Sequence, residues 1–139
     1  MQLPDIGNIL IADDEPAMRS LLQSVLHSHG FRRFQHAGNG QLAADLLAKD
    51  SCRIDLAFVD LQMPGLSGLE VLALAKTLRP QCYCVVVSAN SDLSNVMATI
   101  KSGARGFIVK PYTFNKITDI LEKFGREWAA AAGTGARGN

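Results

Sequence analysis

Four stretches of this chain are apolar without interruption, and each stops at a polar residue. Residues 8–12 end in Ile-Leu-Ile-Ala and run into Asp13-Asp14-Glu15-Pro16; residues 56–59 stop at Asp60, 82–87 at Ser88, and 106–109 at Lys110-Pro111. A strand with one wet face alternates apolar and polar side chains, whereas a strand covered on both faces is apolar throughout. Strands of the second kind, separated by helical segments, call for a parallel sheet with helices on each side. The expected fold class is therefore α/β, a three-layer α/β/α sandwich.

The intervening segments carry helical spacing. Pro16 suits a first helical turn, the acidic Glu15 just before it suits the cap and the helix dipole, and Met18, Leu21, Leu22, Val25 and Leu26 form one apolar face that Gly30 ends. Residues 31–37 are the weakest strand, charged at Arg32 and Arg33, and are placed at a sheet edge. Asn39-Gly40 reads as a turn, and Leu42, Ala43, Leu46 and Leu47 as a short helix. After a polar connection over 50–55, Val71, Leu74, Ala75 and Leu78 mark a third helix closed by Pro80. Leu93, Val96, Met97 and Ile100 mark a fourth, ended by Gly103. Phe114, Ile117, Ile120, Leu121, Phe124 and Trp128 line the last. Residues 1–128 are expected to form one domain, with 129–139 a short tail or linker stub.

The chain has 139 residues and a net charge of +1. That length fits one domain, and that charge gives no electrostatic case for nucleic acid. No run approaches the ~18 apolar residues of a membrane span, and Met-Gln-Leu-Pro-Asp lacks the basic start of a signal peptide, so the cytoplasm is the expected setting. Cys82 and Cys84 share one strand face and Cys52 is remote, a pattern read as buried packing rather than redox or metal use. His27, His29 and His36 lack ligand spacing and read as surface or capping residues.

In a parallel sheet all strands end on one edge, where such folds place ligands. Asp13, Asp14, Asp60, Ser88 and Lys110 therefore share that edge. Singly, each has an ordinary reading: helix cap for the aspartates and serine, Asx turn for Asp60, solvated loop residue for the lysine. Together they say more. Three clustered carboxylates repel unless a cation joins them. Oxygen-only donors with room for water and phosphate suit Mg²⁺. An ammonium and a hydroxyl opposite complete a receptacle for a phosphoryl group, and one carboxylate is left as nucleophile. Asp60 is that residue, being flanked by the other strands and followed by the open turn Met63-Pro64-Gly65.

These segments resemble the receiver domains of two-component response regulators, from Asn8 to about Phe124. The resemblance rests on Ile-Leu-Ile-Ala-Asp-Asp-Glu-Pro, Ala-Gly-Asn-Gly, Phe-Val-Asp-Leu-Gln-Met-Pro-Gly-Leu-Ser-Gly, Val-Val-Val-Ser-Ala-Asn and Gly-Ala-Arg-Gly-Phe-Ile-Val-Lys-Pro. It implies a flavodoxin-like sheet of order 2-1-3-4-5. It makes Asp60 the phosphoacceptor from a sensor histidine kinase or histidine phosphotransfer protein. Asp14, Asp60, the carbonyl of Gln62 and, through water, Asp13 would bind Mg²⁺. Ser88 and Lys110 would hold phosphoryl oxygens, and Lys110-Pro111 would be cis. The implied switch moves Ser88 toward the phosphate and turns Phe107 into the vacated space, altering a surface made by the fourth helix, fifth strand and fifth helix. Phe107 lacks the hydroxyl of the tyrosine many relatives carry, so packing alone would drive it; an ordinary core role stays open. Gln62 and Asn90 would tune phosphate lifetime.

Rivals are weaker. A dehalogenase-type phosphatase needs a second aspartate at position 62, which is Gln, and a nucleotide site needs a Gly-rich loop where Asp13-Asp14-Glu15 stands. A docking receiver that works without phosphorylation, a fragment of a longer regulator with its own output domain, and homodimerisation on phosphorylation all stay open, as does the downstream partner.

Overall fold

The computed structural model describes residues 5–89 and 92–134. The order of elements is β1 (Asn8–Ala12), α1 (Pro16–Ser28), β2 (Phe34–Ala37), α2 (Gly40–Ala48), β3 (Ile54–Asp60), α3 (Gly68–Leu78), β4 (Tyr83–Ser88), α4 (Leu93–Lys101), β5 (Gly106–Val109) and α5 (Phe114–Thr134). All strand pairings are parallel, in the order β2-β1-β3-β4-β5. The expected class, layers and strand order are found, with the weak strand β2 at one edge.

Two apolar layers explain the unbroken runs. Ile9, Ile11, Leu56, Phe58, Tyr83, Val85 and Val87 project to the side covered by Leu22 and Leu26 of α1 and Ile117, Leu121 and Phe124 of α5. Leu10, Ala12, Ala57, Val59 and Val86 project to the other side, against Ala43 and Leu47 of α2 and Val71, Leu72 and Ala75 of α3. Every residue of β3 and β4 is buried.

Several expectations need adjusting. β2 starts at Phe34, not at residue 31, and Phe31 is instead buried in the α1–α5 layer. β3 starts at Ile54, because a bulge beside β1 takes up Asp55. Asn39 is the N-cap of α2, its side chain accepting from the Leu42 amide at 2.8 Å. Glu15, the acidic residue before Pro16, occupies the N-cap position of α1 as expected, but makes no side-chain cap bond. α5 continues to Thr134, past Trp128, since the alanines that follow favour helix. Leu21, Leu42, Leu78, Met97, Ile100 and Phe114 are exposed rather than core-facing, from 40% for Leu78 to 62% for Ile100. A helix resting on a sheet touches it along a line narrower than its apolar stripe, so the stripe's margins stay wet.

Candidate functional site

The β3–α3 connection shows how local sequence builds the site. Gly65 has φ +77, a conformation that side chains disfavour. Ser67 caps α3 in a reciprocal pair: its hydroxyl accepts from the Glu70 amide at 3.3 Å, and the Glu70 carboxylate accepts from the Ser67 amide at 3.2 Å. A Cβ on Gly68 would lie 2.4 Å from the Asp60 carbonyl oxygen, so only glycine lets α3 start this close to the end of β3.

β1 and β3 pair Ala12 with Val59, which sets Asp13 and Asp60 side by side at the carboxyl ends of central strands. Lys110 arrives from the end of β5, where its amide donates to the Ser88 carbonyl at 2.8 Å. Its ammonium lies 2.8 Å from Asp13 Oδ2 and 2.7 Å from Asp60 Oδ2, with Glu15 Oε1 at 3.5 Å. The other carboxylate oxygens are held by backbone. Asp13 Oδ1 accepts from the Glu15 amide and Asp60 Oδ1 from the Gln62 amide, each at 2.9 Å. Arg19 donates to the Asp13 carbonyl at 2.6 Å, anchoring the β1–α1 connection.

Burial pushes the Asp60 carboxyl above its ordinary value, against the pull of Lys110 and the Gln62 amide. For Lys110, burial favours the neutral form, but hydrogen bonds to Asp13 and Asp60 outweigh it and the ammonium is held well above its usual range. Lys110 therefore stays an ammonium at the centre of the acidic mouth. Tyr112, whose hydroxyl donates to the Met18 carbonyl at 2.9 Å, is pushed up to about 12 by burial and the neighbouring Asp13.

Asp13, Asp60 and Lys110 thus come together, with Ser88, 1% exposed, at the end of the strand between them. Asp14 is exposed beside Asp13, and one oxygen each from Asp13, Asp14 and Glu15 lie within 4.8 Å of one another. From sequence Glu15 reads only as a helix cap; its place directly after the two aspartates is the signal for a part in the acidic mouth. Gln62 is exposed, Phe107 is half-buried against the α2–α3 side of the sheet, and Lys110-Pro111 is cis. Asn90 lies outside the described residues.

A five-stranded parallel sandwich whose strand ends hold an ammonium between two buried aspartates defines a signalling receiver. The chain belongs to the response regulator receiver domain family, whose model matches residues 9–122. It is a phosphorylation-activated receiver of two-component signalling. It is 32% identical over 116 residues to sporulation initiation phosphotransferase F of Bacillus subtilis, covering 84% of this chain and 91% of that one. It is 32% identical over 115 residues to the chemotaxis protein CheY of the same species, covering 83% and 94%. Among solved structures, a CheY-like receiver from Methanospirillum hungatei superposes with TM-score 0.82 at 23% identity, covering 91% of this chain and 98% of that one. CheY in a CheX–CheY–BeF3–Mg²⁺ complex from Borrelia burgdorferi gives 0.79 at 26%, covering 88% and 90%. No helix among the described residues is long and apolar enough to cross a membrane.

Proposed function

We propose that Asp60 accepts a phosphoryl group from a phosphohistidine on a sensor kinase or phosphotransfer protein. The observation that carries this is the Lys110 ammonium held 2.7 Å from Asp60 and 2.8 Å from Asp13 at the strand ends. Asp60 attacks phosphorus through one carboxylate oxygen and the donor's imidazole nitrogen leaves with the bonding pair. Gln62 N–H fixes the carboxylate's orientation, and Lys110 stands ready to transfer from carboxylate to phosphoryl oxygen as negative charge moves outward. Ser88, on the neighbouring strand, offers a further hydrogen bond to that group.

The donor set fits Mg²⁺: Asp13, Asp14 and Asp60 carboxylates and the Gln62 carbonyl are hard oxygen ligands, and Glu15 widens the set. When bound, Mg²⁺ supplies Lewis-acid charge neutralisation for an anion approaching three carboxylates. Phosphorylation would then bias the α4–β5–α5 surface, with Ser88 and Phe107 as the moving parts. Gln62 and Asn90 would set the lifetime of the phosphate.

Incubation of the chain with acetyl phosphate and Mg²⁺, followed by intact-mass measurement, should show one added phosphoryl group. Asp60→Asn should abolish it. Labelling that survives in Asp60→Asn, at the level of the unaltered chain, would move the acceptor elsewhere.

A further inference from the structure

Cys82 and Cys84 take no part in the acidic mouth. Their expected burial is found, at 6% and 4% exposed, and both face the α2–α3 side of the sheet. What the sequence does not show is the space in front of them. A recess of about 370 Å³ is lined by both cysteines together with Leu72, Gly103, Lys76 and Arg105. Lys76 and Arg105 are exposed, so the recess meets water beside two cations. No acidic residue lines it, and neither cation forms an ion pair among the described residues. Arg105 is held in place by other means. Its guanidinium lies 5.6 Å from the Tyr83 ring centroid, and its amide donates to the Cys84 carbonyl at 2.8 Å.

The two thiols are not equivalent. Their sulfurs lie 3.9 Å apart, so the Cys82 S–H can donate to a Cys84 thiolate. That bond, helped by Arg105, holds the Cys84 thiol below its ordinary value against burial. The Cys82 thiol is pushed well above its own by Cys84 and by burial. Cys84 is therefore the better nucleophile of the two, in the electropositive kind of setting that makes cysteines reactive. A Cys82–Cys84 disulfide does not fit the strand. It wants Cβ atoms ~3.5–4.5 Å apart, whereas residues two apart in an extended strand are separated by roughly 6.6 Å. Oxidation of Cys84 needs an outside partner. Cys52 supplies the contrast: it is 7% exposed, no less than the other two, but does not line the recess.

We propose that this recess is a thiolation site, where Cys84 exchanges with a small, negatively charged disulfide of the glutathione class. The Cys84 thiolate attacks one sulfur of that disulfide, a new sulfur–sulfur bond forms, and the old one breaks. The departing thiolate takes up the proton that Cys84 gave to solvent, so the disulfide is the oxidant and one free small thiol is released. Lys76 and Arg105 meet the carboxylates of the incoming molecule. The attached group would lie against Gly103, in the turn directly after α4.

The test is incubation of the reduced full chain with glutathione disulfide, followed by intact-mass measurement and peptide mapping. One glutathionyl group should appear, on Cys84. Cys84→Ala should abolish it, and Cys52→Ala should leave it. Circular dichroism checks that each variant is folded, and should Cys84→Ala fail to fold, mapping of the unaltered chain decides. Charge selection is read as a ratio of rates, glutathione disulfide against the uncharged hydroxyethyl disulfide, which cancels any change in the thiol itself. Replacing both Lys76 and Arg105 by Met should lower that ratio at least about tenfold. An unchanged ratio would overturn the charge selection. No adduct on the unaltered chain, or an adduct on Cys52 or Cys82 in place of Cys84, would overturn the site.

Discussion

The β1–β3–β4 block and the α4–β5 segment belong to one sheet-and-helix layer system but are held very differently. All seven residues of β3 and all six of β4 are buried, while β5 has one buried residue in four. On α4, Met97 is 48% and Ile100 62% exposed, and Thr99 is buried. Asp13, Asp60 and Ser88 sit at the ends of the tightly packed strands, while Lys110 reaches them from the end of β5, on the loosely held side that is expected to report the phosphoryl group. A rearrangement of the loose segment therefore disturbs few buried contacts, while the carboxylates stay fixed.

The contrast can be broken at its rigid end. Phe58, 1% exposed beneath α1 and α5, should cost about 3–5 kcal/mol on substitution by Ala, measured by chemical denaturation. A cost under ~1 kcal/mol would show that the block is not the stable half. Lys110→Met should slow labelling by acetyl phosphate roughly 10²–10³-fold with the fold retained, as loss of one preorganised charge does. A third measurement concerns pH. Because the folded-state pKa of Asp60 lies above 3.8, its contribution to stability is present below that pH and lost as pH rises through the folded value. Asp60→Asn should therefore be more stable than the unaltered chain at pH 7, the gap closing as pH falls below 3.8. The smallest effect belongs to the loose end: Ile100→Ala should change stability by no more than about 0.5 kcal/mol. A larger loss would mean that α4 is anchored through that side chain.

Much of the fold was legible because burial on two faces leaves a plain mark, unbroken apolar runs, and because polar residues end those runs where chains must turn. The strand-end groups Asp13, Asp60 and Lys110 were legible for the same reason. What sequence obscured was contact width and local capping. Helical periodicity marks a stripe but not which margin of it is wet, so Leu21 and Met97 read as core. Asn39-Gly40 reads as a turn because a cap and a turn use the same residues. Asp55 reads as part of a polar connection because a charged residue inside a buried strand is rare; the bulge makes room for it, and the Gly7 amide and Arg53 engage its Oδ2 at 2.8 and 2.7 Å. Glu15 reads only as a cap before Pro16, because nothing in its spacing shows that its carboxylate comes within 3.5 Å of the Lys110 ammonium.

The two shortest strands, β2 and β5, four residues each, are the two edges of the sheet. An edge strand offers bare amides and carbonyls to any other chain, and its length limits how many can be matched at once. With Arg32 and Arg33 preceding β2, a second molecule meets a short rung and two positive charges. Strand-by-strand stacking into aggregates is thereby discouraged even when the protein is concentrated.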